Sequence, residues 1–192
     1  AVVVGGGLIG VETCEALNLA GIEITVIEML PQLLPFLDWE MAALIQNHMK
    51  AKGALVITEN PVAEFLGTNG KLTGVKLKNG TELDCELAVI ATGVRPNVAL
   101  AKTAGLDIGA AGIAVNEFMQ TSDPDIYAVG DVREPEDPVL GGYAAVPLGG
   151  PANRQGRVAA DHITLGEKAR PYPGSIGTAI VRAFNTAAGG VR

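Results

Sequence analysis

The sequence has little of what marks nucleic-acid-binding or membrane-spanning proteins. Its 192 residues carry 21 acidic against 14 basic side chains, with a net charge of −7 and no Lys/Arg cluster. Nucleic acid is therefore not an expected partner, because binding its phosphates requires a basic surface. No apolar run approaches the roughly 18 residues of a spanning helix, and the basic-then-apolar pattern of a signal peptide is absent from the N-terminus. We expect no membrane association and a cytoplasmic location.

Cysteine is also scarce, since the chain has only Cys14 and Cys85. The two are far apart and belong to no C-x-x-C pair and no set with metal-ligand spacing. This pattern indicates neither a disulfide framework nor a zinc site. We expect both residues to be small buried hydrophobic side chains, and we predict no metal site.

The composition that is present, 48% hydrophobic and 18% charged residues, is typical of a globular protein with one or two domains. An apolar segment at 1–4, a helical pattern over 8–19 and a second apolar segment at 22–27 predict a βαβ unit. A second helix is expected over 38–52 and a third strand over 55–58. The predicted fold class is therefore α/β, with a Rossmann-like parallel sheet.

The pattern then changes to short segments broken by Asn69-Gly70 and Asn79-Gly80, which are strong hairpin signals. They predict an antiparallel meander inserted into the Rossmann-like domain. The continuous apolar segment 87–91 is typical of a return to the parallel sheet. The elements expected beyond it are strands at 112–115 and 126–129, a helix over 151–163 and a strand within 176–184.

A glycine-rich turn follows the first predicted strand. Gly5, Gly7 and Gly10 form G-x-G-x-x-G between a strand and a helix, a pattern that lets a pyrophosphate approach the backbone and the helix N-terminus. Glu28 ends the next strand, where a carboxylate can accept hydrogen bonds from the hydroxyls of an adenosine ribose and would repel a 2′-phosphate. These residues favour NADH over NADPH. A purely structural turn and a surface carboxylate remain the alternatives.

Four motifs occur in order along the chain: "GGGLIGVE", "VIATGVRPN", "TSDPDIYAVGD" and "PANRQGRVAADHI". Together they resemble the flavin-dependent pyridine nucleotide–disulfide oxidoreductases over nearly the whole chain. The stretches "PLGGPANRQGR" and "GTAIVRAF" are most similar to the group of coenzyme A disulfide reductases, NADH oxidases and NADH peroxidases. The resemblance implies an enzyme that passes a hydride from NADH to FAD and on to a disulfide, a cysteine sulfenate or oxygen.

The resemblance also implies roles in binding NADH. Glu28 would hold the ribose, Phe36 would lie against the adenine, and Glu12 would lie where nicotinamide and flavin meet. Leu8 departs from the group's pattern, which often has an aromatic side chain gating the flavin face at this position, so the resemblance does not imply such gating here. The residues expected to line the rest of the NADH path are Gly5, Gly7, Leu8, Ile9, Gly10, Thr92 and Gly93.

The later motifs imply an FAD site. Gly130 and Asp131 would contact the ribityl chain or a phosphate through the Asp131 carboxylate. The helix that begins near Pro151 would direct its positive N-terminus at the flavin pyrimidine ring and favour negative charge there. Leu148, Gly149 and Gly150 would make close backbone contacts with the flavin.

On this resemblance, residues 1–96 are an NADH-binding domain, residues 97–166 are the C-terminal part of an FAD-binding domain, and residues 167–192 begin a dimerisation domain. The family's redox-active cysteine and the ADP-binding half of its FAD site precede the NADH motif. We therefore expect a part of a longer flavoenzyme, inactive alone and without catalytic residues, whose parent is a homodimer acting on a disulfide, a peroxide or oxygen.

Two other interpretations remain open. The chain could be an isolated dinucleotide-binding module without catalytic activity. It could also be a ligand-sensing Rossmann regulatory domain, which would explain the residues up to Gly93 but gives no reason for "YAVGD" or "ANRQGR".

Overall fold

The structure, a computed structural model, describes residues 1–134, 138–139, 141–142 and 146–191. It divides into two compact units. Unit 1 is Ala1–Gly93 with Thr178–Gly190, and unit 2 is Val94–Gly177 with Val191. Among the described residues, no helix has the length and apolar character needed to cross a membrane.

Unit 1 is built on a four-stranded parallel sheet of order β3-β2-β1-β7. These strands are β1 (Val2–Val4), β2 (Thr25–Ile27), β3 (Leu55–Ile57) and β7 (Ala88–Ile90). Helices α1 (Leu8–Leu19) and α2 (Trp39–Ala51) make the crossovers between strands. The predicted α/β class, the βαβ unit and the second crossover helix are therefore confirmed.

The predicted meander is confirmed as an antiparallel sheet of β4 (Val62–Thr68), β5 (Lys71–Leu77) and β6 (Glu82–Asp84). Asn69-Gly70 forms its first turn, with both residues at positive φ as such turns require. Alternation along the parallel strands gives each face its own core. Val3 and Val26 pack with Cys14 and Met49 from the helices, whereas Val2 and Ile27 pack with residues of the meander. This burial on both faces explains why these strands are continuously apolar.

A hairpin of β8 (Thr178–Ala183) and β9 (Thr186–Val191) packs on the helices of unit 1. The Glu15 carboxylate of α1 accepts a hydrogen bond from the Phe184 N–H at 3.0 Å and forms an ion pair with Arg182 at 2.7 Å. From α2, His48 Nε2 lies 2.7 Å from Asn185 Oδ1. The hairpin thus completes the core of the dinucleotide-type unit, and the assignment of 167–192 to a dimerisation domain stays a prediction.

Unit 2 contains helices α3 (Ala99–Thr103) and α4 (Gly149–Leu165) and a 3₁₀ turn at Gly130–Val132. The predicted strands at 112–115 and 126–129 are wrong, because the structure shows only isolated bridges there. Within these segments, the Ile113 N–H donates to the Val132 carbonyl oxygen and the Ala128 N–H to the Met119 carbonyl oxygen. Next to them, side chains bond the backbone locally, as Asn116 Oδ1 does with the N–H groups of Phe118 and Gln120. Such local bonds form turns that limit the length of strand pairing.

Candidate nucleotide-binding sites

The glycine turn of unit 1 links the end of β1 to the start of α1. Gly5 has φ +108°, and a Cβ there would lie 2.3 Å from the Ala91 carbonyl oxygen. A Cβ at Gly10 would lie 1.9 Å from the Gly5 carbonyl oxygen. At Gly7, in contrast, a Cβ would meet nothing within 4 Å. Two glycines therefore permit the packing, and the third leaves open space at the helix N-terminus.

The N-terminus of α1 is suited to an anion. Gly7 is its N-cap, no side chain caps it, and its first turn has no acidic residue. The uncapped N–H groups and the helix dipole both favour negative charge at this position. The open face of Gly7 would admit a pyrophosphate, so the local geometry fits a dinucleotide.

Gly6, between the motif glycines, is joined to the segment after β2. Its N–H donates to Glu28 Oε2 at 2.7 Å, and its carbonyl oxygen accepts from the Leu34 N–H at 2.8 Å. The Leu33 side chain packs on Gly6, where a Cβ would lie 2.3 Å from Leu33 Cδ2. Two hydrogen bonds and a side-chain contact therefore join the glycine turn to the segment that is expected to bind the ribose.

Glu28 is not a solvent-facing carboxylate, since the residue is only 7% exposed. Its Oε1 accepts from the Leu30 N–H at 2.8 Å, while Oε2 is bonded to Gly6. A carboxylate oxygen has two lone pairs, so each oxygen keeps one for a further donor such as a ribose hydroxyl. The sequence predicted the carboxylate but gave no signal of these two backbone bonds.

The segment after Glu28 is held from α2. Gln46, 8% exposed, accepts a hydrogen bond from the Leu33 N–H at 2.8 Å through Oε1. Leu34 has φ +49° and is fully buried. Phe36, expected to lie against an adenine, is 37% exposed in this segment. The segment is thus fixed by contacts within the protein alone.

The structure brings Gly5, Gly7, Gly10 and Glu28 together at the carboxyl ends of the parallel strands, where dinucleotides bind in open α/β sheets. Thr92 and Gly93 follow β7 at the same edge and are exposed. Ile9 and Glu12 are exposed on α1, and Leu8 is half-buried. Their expected contacts with NADH and flavin stay predictions.

Neither cysteine has the environment of a reactive thiol. Cys14 is fully buried on α1, and burial raises its pKa to about 12. Cys85, which directly follows β6, is 7% exposed, and burial raises its pKa as well. The expectation that both are buried hydrophobic residues is confirmed.

Cys14 is therefore expected to be unreactive in the folded protein. With a pKa of about 12, only about one thiol in ten thousand is ionised at pH 8, and the thiolate is the reactive form. In a Cys85→Ser variant, a chromogenic disulfide reagent should label Cys14 only after urea unfolds the chain. Rapid labelling of the folded variant would show that Cys14 is accessible.

In unit 2, the Gly130–Val132 turn packs on α4. Gly130 has φ +77°, and a Cβ there would lie 3.6 Å from the Ala152 Cβ. The Gly130 N–H donates to Gln155 Oε1 at 2.7 Å. Asp131 follows with an exposed side chain in the wall of a cavity of about 270 Å³. The cavity is lined by residues 94–97, Ala111, residues 130–133, Val146, Pro147 and Gln155.

The N-terminus of α4 is also open. Leu148 is its N-cap and provides no side-chain cap, and a Cβ at Gly149 or Gly150 would meet nothing within 4 Å. Near the other end of the helix, His162 Nδ1 lies 2.8 Å from Tyr127 Oη, and its ring stacks on Phe118. Unit 2 thus places a free carboxylate and an uncapped helix end in one compact body. Gln155 joins them through its bond to the Gly130 N–H, a contact that the sequence does not predict.

Comparison with known proteins matches residues 1–158 to the family described as pyridine nucleotide-disulphide oxidoreductase. A relative named NADH oxidase, from Methanocaldococcus jannaschii, is 44% identical over 172 residues, which are 89% of this chain and 38% of that protein. The chain therefore spans well under half the length of this relative.

Solved structures agree in fold. An NAD-dependent persulfide reductase from A. fulgidus superimposes with a TM-score of 0.92 and 43% identity, over 98% of this chain and 35% of that one. An FAD-dependent pyridine nucleotide-disulphide oxidoreductase from Desulfovibrio vulgaris gives a TM-score of 0.93 and 36% identity, over 99% and 48%. Together with the four ordered motifs and the family match over most of the chain, these similarities show that the protein belongs to the pyridine nucleotide-disulphide oxidoreductase family.

Proposed function

We propose that this chain is the NADH-binding portion of a flavoprotein oxidoreductase that passes a hydride from NADH to FAD. The final acceptor is a small molecule or group of the disulfide, cysteine sulfenate, peroxide or oxygen class. The observation that carries the proposal is the turn at Gly7, with its open face beside a carboxylate already fixed at the end of β2. The match of the family across both units argues against an isolated binding module or a sensor domain.

In unit 1, we assign residues to the pyrophosphate, the ribose and the nicotinamide of NADH according to their local geometry. The open face of Gly7 and the uncapped start of α1 would receive the pyrophosphate. Glu28, with one lone pair left on each oxygen, would accept from the ribose hydroxyls. The exposed side chains of Ile9 and Glu12 and the open turn at Gly93 would lie along the nicotinamide end.

In unit 2, Asp131 and the N-terminus of α4 are assigned to FAD. The Asp131 carboxylate is exposed to the cavity and can accept from a ribityl hydroxyl. Gly149 and Gly150 have no side chain to keep a flavin ring from the start of α4, whose dipole favours negative charge. FAD, when bound, supplies the two-electron acceptor for the hydride, and these residues bind and orient it.

The relatives extend the proposal beyond this chain. Proteins similar to it are named as an NADH oxidase, an NAD-dependent persulfide reductase and an FAD-dependent pyridine nucleotide-disulphide oxidoreductase. The domain assignments 1–96, 97–166 and 167–192, a homodimeric parent and a cytoplasmic location belong to the same proposal.

Calorimetric titration of the chain with NADH and NADPH tests whether it binds NADH and discriminates against NADPH. NADH should bind, and NADPH should bind about a hundredfold more weakly, because placing a 2′-phosphate beside the buried Glu28 carboxylate costs about 3 kcal/mol. Thermal unfolding in the same buffers gives an independent readout, since a ligand that binds only the folded state raises Tm. Absence of NADH binding, or equal binding of both nucleotides, would contradict the assignment.

A further inference from the structure

Gln155 joins two elements of the proposed flavin site. Its side chain projects from the second turn of α4 and is 97% buried, since the residue is 3% exposed. Its Oε1 accepts from the Gly130 N–H at 2.7 Å, across 25 residues of sequence. One amide therefore connects the helix with the open N-terminus to the turn that carries Asp131.

The turn needs such a partner because of its backbone conformation. Gly130 is the first residue of the 3₁₀ turn, so its N–H has no partner within the turn and is bonded by a side chain instead. The turn lies close to α4, since a Cβ added at Gly130 would be in van der Waals contact with Ala152 Cβ, and the Gln155 bond prevents their separation. The position of Asp131, the next residue, relative to α4 is thereby fixed.

A second bond aligns the same segment with α4. Tyr127 Oη lies 2.8 Å from His162 Nδ1, seven residues after Gln155 on the helix and so on the same face. The segment 127–131 is thus held at both ends, by His162 at Tyr127 and by Gln155 at Gly130. Only the Gln155 bond is adjacent to Asp131 and lies in the cavity wall.

We propose that Gln155 is a positioning residue for FAD: by holding the Gly130 turn against α4, it sets the Asp131 carboxylate and the helix N-terminus as one binding surface. This inference rests on the proposed function. It assigns Gln155 no contact with the reacting atoms, and its effect passes through the backbone of Gly130.

The test uses the full-length protein loaded with FAD and two substitutions that separate the acceptor from the charge. Gln155→Leu fills similar space but accepts no hydrogen bond. Gln155→Glu keeps an acceptor for Gly130 and adds a negative charge near the flavin. Asn153→Leu, on the exposed face of the same helix, is the matched control. For each variant, the FAD dissociation constant, the flavin midpoint potential and the NADH affinity are measured.

Gln155→Leu should weaken FAD binding about tenfold, because without the Gln155 bond the Gly130 turn must be ordered against α4 when FAD binds. Gln155→Glu should retain FAD more tightly than Gln155→Leu and have a more negative midpoint potential, because the added carboxylate opposes the charge gained on reduction. Asn153→Leu should match the wild type in both properties. NADH affinity, a property of unit 1, should be the same in all variants, and an unchanged thermal unfolding of the FAD-free variants shows that unit 2 is folded.

Wild-type FAD affinity and potential in Gln155→Leu would overturn the inference. If Gln155→Leu does not fold, the test rests on Gln155→Glu alone. An unchanged flavin midpoint potential in Gln155→Glu, or the loss of its FAD binding, overturns the inference. If the wild-type protein itself binds no FAD, the proposed function fails, whatever the variants do. The two failures are therefore distinguishable.

Discussion

Gly10→Ala is expected to destabilise unit 1 by about 3 kcal/mol, at the upper end of the range for overpacking a tight contact. The new methyl group would lie 1.9 Å from the Gly5 carbonyl oxygen and 3.0 Å from its carbonyl carbon. Both are backbone atoms that cannot rotate away, so β1 and α1 must separate. Urea unfolding followed by the fluorescence of Trp39, which lies in unit 1, measures the loss, and NADH binding should disappear with it.

Gly7→Ala is the matched control in the same motif. Its methyl group would meet no protein atom within 4 Å, and the backbone at Gly7 is extended, with φ −75°. The free energy of unfolding should therefore stay within about 0.5 kcal/mol of the wild type. NADH binding should still weaken, because the methyl group occupies the space assigned to the pyrophosphate. Equal stability of the two variants would contradict the packing argument, and normal NADH affinity in Gly7→Ala would contradict the pyrophosphate assignment.

Glu28→Gln is expected to destabilise the chain even without a nucleotide, by about 1–3 kcal/mol. The wild-type carboxylate accepts from two backbone N–H groups, those of Gly6 and Leu30. An amide has one acceptor oxygen, so its NH₂ group must face one of these donors and leave it unpaired. The free energy of unfolding of the ligand-free chain, together with the NADH dissociation constant, measures both roles of Glu28.

Glu23→Gln, at an exposed carboxylate just before β2, is the control and should behave as the wild type. The comparison separates loss of a buried acceptor from loss of one negative charge. Glu28→Gln with wild-type stability but weaker NADH binding would leave only the ribose role. Wild-type values of both quantities would remove Glu28 from the site.

Much of unit 1 could be predicted because its signals are local. The glycine motif, the apolar strands and the Asn-Gly turns each specify backbone conformation over a few residues. The predicted helix over 8–19 coincides with α1, and the predicted helix over 38–52 includes α2 with one extra residue at each end. Buried parallel strands are recognisable because both of their faces must be apolar.

The unpredicted features depend on contacts between residues distant in sequence. The burial of Glu28 follows from its bond to Gly6, 22 residues earlier, and the role of Gln155 follows from Gly130, 25 residues earlier. Polar residues give no periodic signal of such bonds. The strands predicted at 112–115 and 126–129 are wrong because apolar composition does not show whether another segment pairs with them over several residues, and Ile113 and Tyr127 form only isolated bridges.

The hairpin that completes unit 1 has a consequence for how this unit folds. The Glu15 carboxylate meets the Phe184 N–H across 169 residues of sequence, and Val181, Ala183 and Ala188 belong to the same core as Val3 and Met49. During synthesis, residues 1–93 would leave the ribosome before the hairpin, so the core residues that the hairpin covers would stay exposed to solvent until it emerges. Contacts of such long sequence separation are formed late and slow folding. Unit 1 is thus expected to reach its final stability only after unit 2 has been made.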